Sequence, residues 1–172
     1  MAVIICLSCG GERNNQGGVN PLDLHLPDQV LTNTETYLTS AGRRTGVIKA
    51  ETLKVYTNKD TTLMYGVHVT FYDSSGAHVS TLTADSGLVT RNSTILEAEG
   101  NVRAWTVGDK LLLTDSLRWD ATREEITTEG FVKAIRGADT ISGWGLQTDQ
   151  RLENIVIKNI QGSFREPDSE TD

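Results

Sequence analysis

Leu96-Glu97-Ala98-Glu99-Gly100-Asn101-Val102-Arg103-Ala104 puts small or apolar residues at even positions and polar ones between them. A period of two marks a strand with one dry face and one wet face. Thirty residues later the pattern returns in the same phase as Ile126-Thr127-Thr128-Glu129-Gly130-Phe131-Val132-Lys133-Ala134. Ala84-Asp85-Ser86 likewise returns as Thr114-Asp115-Ser116, so the repeat consists of two half-units of about one strand and one turn each. Copies stacked in one phase build a continuous apolar wall.

Working outward, turn signals divide the chain into further strands. Expected strands run from Gln29 to Leu38, Val47 to Tyr56, Leu63 to Tyr72 and Val79 to Val89, the last with Leu82, Ala84 and Leu88 on one face. After the first copy comes Leu111 to Trp119, in which Leu111, Leu113, Leu117 and Trp119 align and Asp115 breaks the stripe. Asp115 is read as wet, at a bulge or an open edge. Thr140 to Thr148 changes parity around Gly143-Trp144-Gly145, which suggests a bulge. Leu152 to Phe164 is the final strand. No sustained helical stripe is present and threonine is abundant, so the fold class is all-β.

The domain organisation follows from composition. Residues 1–9 read as the remnant of an export or lipoprotein signal, with Leu7-Ser8-Cys9 resembling the end of a lipoprotein box and Cys9 as the lipidation site. Residues 10–27, rich in Gly and Asn, form a linker of roughly 20–25 Å reach. Residues 28–164 are the β domain, and 165–172 an acidic, disordered tail.

Little in the chain points to catalysis. Both cysteines, Cys6 and Cys9, lie outside the β domain, which excludes a disulfide framework there. His68 and His78 fall across from about Thr81 and Phe71, too far apart to share a metal. Glu99 and Glu129 are candidate paired acids, but no apolar pocket surrounds them to raise one pKa. No phosphate loop, nucleophile elbow or H-E-x-x-H occurs. The reading is non-enzymatic, without cofactor or metal. A net charge of −7, with basic residues scattered, argues against nucleic acid.

The dry wall can close on itself as an ordinary core, or the sheet can fold over incompletely and leave a trough. Its inward set mixes Ala84, Ala98 and Gly100 with Leu82, Leu96, Val102, Leu113, Leu117, Ile126 and Val132. Small side chains fill space poorly where interiors are close-packed. Acyl chains would complete such a wall at about 0.8 kcal/mol per buried methylene. These ten residues are therefore the candidate lipid-binding set.

Leu82-Thr83-Ala84-Asp85, Leu96-Glu97-Ala98-Glu99-Gly100-Asn101-Val102, Leu117-Arg118-Trp119-Asp120 and Ile141-Ser142-Gly143-Trp144-Gly145-Leu146 occur in an order and spacing that resembles the LptC family. Val67-x-Val69-x-Phe71-Tyr72-Asp73 belongs to the same likeness, which covers about Pro27 to Phe164. The resemblance implies an open antiparallel β-jellyroll of the OstA-like kind, with an apolar groove that carries the lipid A acyl chains of lipopolysaccharide. It also implies docking of the N-terminal strands to an inner-membrane ABC transporter, and of the C-terminal strand edge to an LptA-like periplasmic protein. Many relatives hold an N-terminal transmembrane helix, whereas here the candidate anchor is a lipid on Cys9. The expected location is the periplasmic side of the inner membrane, with an outer-membrane lipoprotein as the alternative. Two other functions stay open: a soluble LptA-like bridge, and a structural envelope lipoprotein with a closed core.

Overall fold

The computed structural model describes residues 26–90 and 94–162. Nine strands follow one another: β1 (Gln29–Ser40), β2 (Arg43–Tyr56), β3 (Thr61–Tyr72), β4 (His78–Thr90), β5 (Ile95–Thr106), β6 (Lys110–Asp120), β7 (Glu125–Arg136), β8 (Asp139–Asp149) and β9 (Val156–Ile160). They form one antiparallel sheet in sequence order, so β1 and β9 are its edges. Aspartates close several turns by accepting backbone N–H groups onto their carboxylates. Asp73 does so for Ser75 and Ala77, and Asp120 for Thr122 and Arg123.

A seam crosses the strands at mid-length. Register slips between Thr83 and Ser86 on β4, Glu99 and Val102 on β5, Thr114 and Arg118 on β6, and Thr128 and Phe131 on β7. The extra residues fall in β5 and β7, at the Glu-Gly step of each repeat copy. An inserted residue bends its strand and raises the local twist. Along the same line the backbone is left-handed at Asn33, Gly66, Gly100, Asn101 and Gly145.

The bend folds the sheet onto itself as an open β-jellyroll. Phe71 on β3 meets Trp119 on β6 edge to face, with ring centroids 5.3 Å apart. Ser80 on β4 donates to the Gln150 carbonyl at 2.6 Å, and Arg151 pairs with Asp73 at 3.7 Å. Between the two leaves lie Val67, Val69, Val102, Leu112, Val132 and Leu146, all buried. Each such side chain contributes about 1.5–3 kcal/mol by leaving water.

The seam corrects the face assignments. On β4 the inward set changes from Leu82 and Ala84 to Gly87 and Val89, so Leu88 lies outward opposite Glu97. On β6 it changes from Leu117 and Trp119 to Leu112, which is fully buried. Leu113 turns outward beside the exposed Arg103. Asp115 is exposed at the bulge, as expected. Gly100 also leaves the dry wall, because a Cβ placed on it would meet the Asp85 side chain at 2.6 Å.

The last strand is shorter than the expected Leu152 to Phe164. Leu152 lies in the β8–β9 turn with φ +52 and is only 1% exposed. Asp149 holds that turn by accepting the N–H groups of Arg151 and Glu153 and the Asn154 amide. Burial pushes the Asp149 carboxyl upward, but these three donors outweigh it and hold its pKa below the usual value. The hairpin register is also shifted: His78 stands opposite Tyr72 and His68 opposite Thr83. The two histidines remain apart.

Candidate lipid-binding site

β1 is rich in threonine and mostly exposed, and within it only Leu38 packs against the core. Among the described residues, the N-terminal end of the fold is therefore not sealed. A cleft of about 550 Å³ opens there between the β1–β2 end of one leaf and the β5–β6 strands of the other. Its floor is apolar: Ile48, Leu53, Met64, Val89, Leu96 and Trp119. Thr36, Thr45, Thr62 and Thr94 line it beside them, and among the described residues Glu124 is the one ionisable group in its lining. Volume and lining suit a small apolar ligand or part of a larger one. Met64 supplies an unbranched, adaptable side chain to the floor. The Trp119 indole N–H is buried and finds no acceptor among the described residues.

A second pocket of about 350 Å³ opens at the opposite end of the fold. Ala134, Ile141, Leu152, Ile155, Ile157 and Ile160 line it, with Lys110 and Arg136 beside them. The β8–β9 turn lies between the two spaces, giving Gln150 to the first and Leu152 to the second.

Of the ten residues assigned to lipid from the repeat, Leu96 lines the cleft. Leu82, Ala84, Ala98, Val102, Leu117, Ile126 and Val132 point inward but sit in the packed centre. Gly100 and Leu113 face outward. Cys9 lies outside the described residues, as do residues 10–25 of the linker and the acidic tail. Sequence reasoning missed Leu38, Ile48, Leu53 and Met64 because β1 to β3 carry no copy of the repeat. The available signal was a threonine-rich first strand too polar to close the wall above them.

Among the described residues, nothing at the cleft is arranged for acid–base chemistry. The groups with shifted pKa values lie elsewhere: Glu35 and Tyr37 share a hydrogen bond on β1, and Asp73 and Asp149 hold turns. Glu99 and Glu129 stand on strands separated by β6, and Glu129 is paired with Lys158 at 2.7 Å. Among the described residues no cluster of three His, Cys, Asp or Glu side chains is placed to hold a metal.

The family profile described as "Lipopolysaccharide-assembly, LptC-related" matches residues 1–164. The chain belongs to the LptC family. Its fold is also similar to a crystal structure of LptH, the LptA-homologous periplasmic component of the lipopolysaccharide transport device of Pseudomonas aeruginosa. That likeness has a TM-score of 0.52 at 11% identity, over 66% of this chain and 82% of LptH, and concerns the fold alone. Compared by sequence with curated proteins, the chain matches none. As an LptC-family member it is a periplasmic bridge component of lipopolysaccharide transport. No helix among the described residues is long and apolar enough to cross a membrane.

Proposed function

We propose that this LptC-family chain takes lipopolysaccharide acyl chains into the N-terminal cleft and hands them toward the C-terminal end without chemical change. The observation that carries the reading is the apolar floor of Leu53, Met64, Leu96 and Trp119, which lines the cleft beside the β1 edge. The N-terminal strands receive lipid from an inner-membrane ABC transporter, whose ATP hydrolysis does the pushing. The β9 edge meets the next, LptA-like jellyroll by strand pairing, which supplies main-chain hydrogen bonds in register. A lipid on Cys9 tethers the chain to the membrane.

Passage from one end to the other requires the two leaves to part, since the centre is packed. Leu82, Ala84, Ala98, Val102, Leu117, Ile126 and Val132 then become the channel wall. The Ser80–Gln150 hydrogen bond and the Asp73–Arg151 pair are the clasp that opens.

Photo-crosslinkers at Leu53 or Met64 in cells should form lipopolysaccharide adducts, and one at Glu97 on the outer face should not. Adducts at Glu97 alone, or at none of the three, sink the reading. A Ser80→Cys/Gln150→Cys disulfide should preserve the Met64 adduct and block lipid transfer to the next jellyroll. The packed centre favours one second reading, a purely structural envelope role, and absence of cleft adducts in folded protein would select it.

A further inference from the structure

The outer face of β5 to β8 carries an apolar ladder that the transport reading does not use. Register places Trp105, Leu111 and Ile135 in one row across β5, β6 and β7. The adjoining row is Arg103, Leu113 and Lys133. Beyond it Phe131 and Trp144 meet edge to face, with ring centroids 5.6 Å apart. Phe131 is 41% exposed, Trp144 48%, and Val107 in the neighbouring turn 72%. A shallow depression of about 710 Å³ runs along the first row, with Asp109 and Lys110 at its margin. Scattered exposed apolar residues are ordinary on a soluble protein, but a contiguous patch with aromatic rings marks an interaction surface.

Charge decides what fits there. Arg103 and Lys133, in the middle row of the ladder, form no ion pair among the described residues. Of the carboxylates around the patch, Asp109 and Asp139 sit at its turn-side border and Asp115 at the seam, and Glu129 beside Phe131 is paired with Lys158. Two cations without a carboxylate partner are thus set in the row between Trp105 on one side and Phe131 with Trp144 on the other. Indole and phenyl rings settle at the headgroup level of a bilayer, and Lys and Arg meet its phosphates.

We propose that this face docks on an anionic phospholipid surface, laying the β-jellyroll against the membrane. The docking rests on the outer face, so it stands or falls independently of lipid capture in the cleft.

The test uses the full chain purified without lipid modification and two sets of vesicles, phosphatidylcholine alone and phosphatidylcholine with phosphatidylglycerol. Sedimentation with vesicles and tryptophan emission are the readouts. The chain should bind the anionic vesicles with a blue shift, and at least tenfold more weakly to the neutral ones. Binding should fall as salt rises. Arg103→Glu/Lys133→Glu and Phe131→Ser/Trp144→Ser should each reduce anionic binding at least tenfold, while the far-UV circular dichroism of both stays that of the parent. The unchanged spectrum shows the variants are folded, and the N-terminus they share cannot account for a difference between them. Equal binding to both vesicle types, or unchanged binding by the variants, overturns the proposal. So does self-association of the chain that these substitutions abolish in the absence of vesicle binding, since the face is then an interface between copies.

Discussion

At Glu99-Gly100-Asn101-Val102 the backbone is left-handed at both central residues, with φ +78 and +46. Asp85 on the neighbouring strand closes over the glycine and accepts a hydrogen bond from Asn101 Nδ2 at 2.7 Å. At Glu129-Gly130-Phe131-Val132 the same signature marks a bulge, yet neither Gly130 nor Phe131 has a positive φ. Hydroxyls do the joining there: the Gly130 N–H donates to Thr128 Oγ1 at 3.0 Å, and Thr114 Oγ1 donates to the Phe131 carbonyl at 2.8 Å. The residue after the glycine explains the difference. Asn tolerates the left-handed region and can bond locally, whereas Phe does neither. Glycine permits the bend, and its neighbour selects the form. The second form also turns Phe131 outward to Trp144, so the bulge that curves the sheet furnishes part of the outer aromatic patch.

Gly100→Ala should be the most damaging change, costing about 2–5 kcal/mol, because an L residue is forced into the left-handed region and its Cβ meets Asp85. Urea unfolding checks it. Asn101→Ala should cost about 1–2 kcal/mol, combining the lost Asp85 bond with the left-handed backbone. Phe131→Asn should cost about 0.5–1.5 kcal/mol through the lost ring pair, and it tests whether the second bulge can adopt the first one's form. A left-handed backbone coupling measured by NMR at the substituted position would say that it does. Gly130→Ala should stay within about 1 kcal/mol of the parent, since its φ suits any residue and the nearest atom to a Cβ is Thr128 Oγ1 at 3.3 Å. A Gly130→Ala cost equal to that of Gly100→Ala would erase the distinction.

The strands were legible because alternation and turn residues are local. Parity alone assigns Leu96, Ala98, Val102 and Ala104 to the inner face, and that is where they lie. Parity fails at Leu88 and Leu113 for a definite reason. The bulged strand β5 keeps even residues inward on both sides of its insertion, so its neighbours must change parity to stay in register. Reading each strand by itself misses that exchange. The cleft was less legible still. It exists because one leaf lies over the other through contacts such as Phe71 with Trp119, forty-eight positions apart, which no periodicity encodes. The polar character of β1 was visible, but the cleft beside it, lined by Leu53 and Met64, needed the leaves in place.

A sheet ordered from first strand to ninth has two unlike ends, and each carries a line of backbone donors and acceptors on its outer side. Adding a copy's ninth strand to a first strand is head-to-tail, and such an addition stays open unless its rotation brings the row round to a ring. Rows that stay open have no built-in length. Strand order alone thus leaves two chemically similar but geometrically distinct edges, at which an added strand finds backbone groups to pair with.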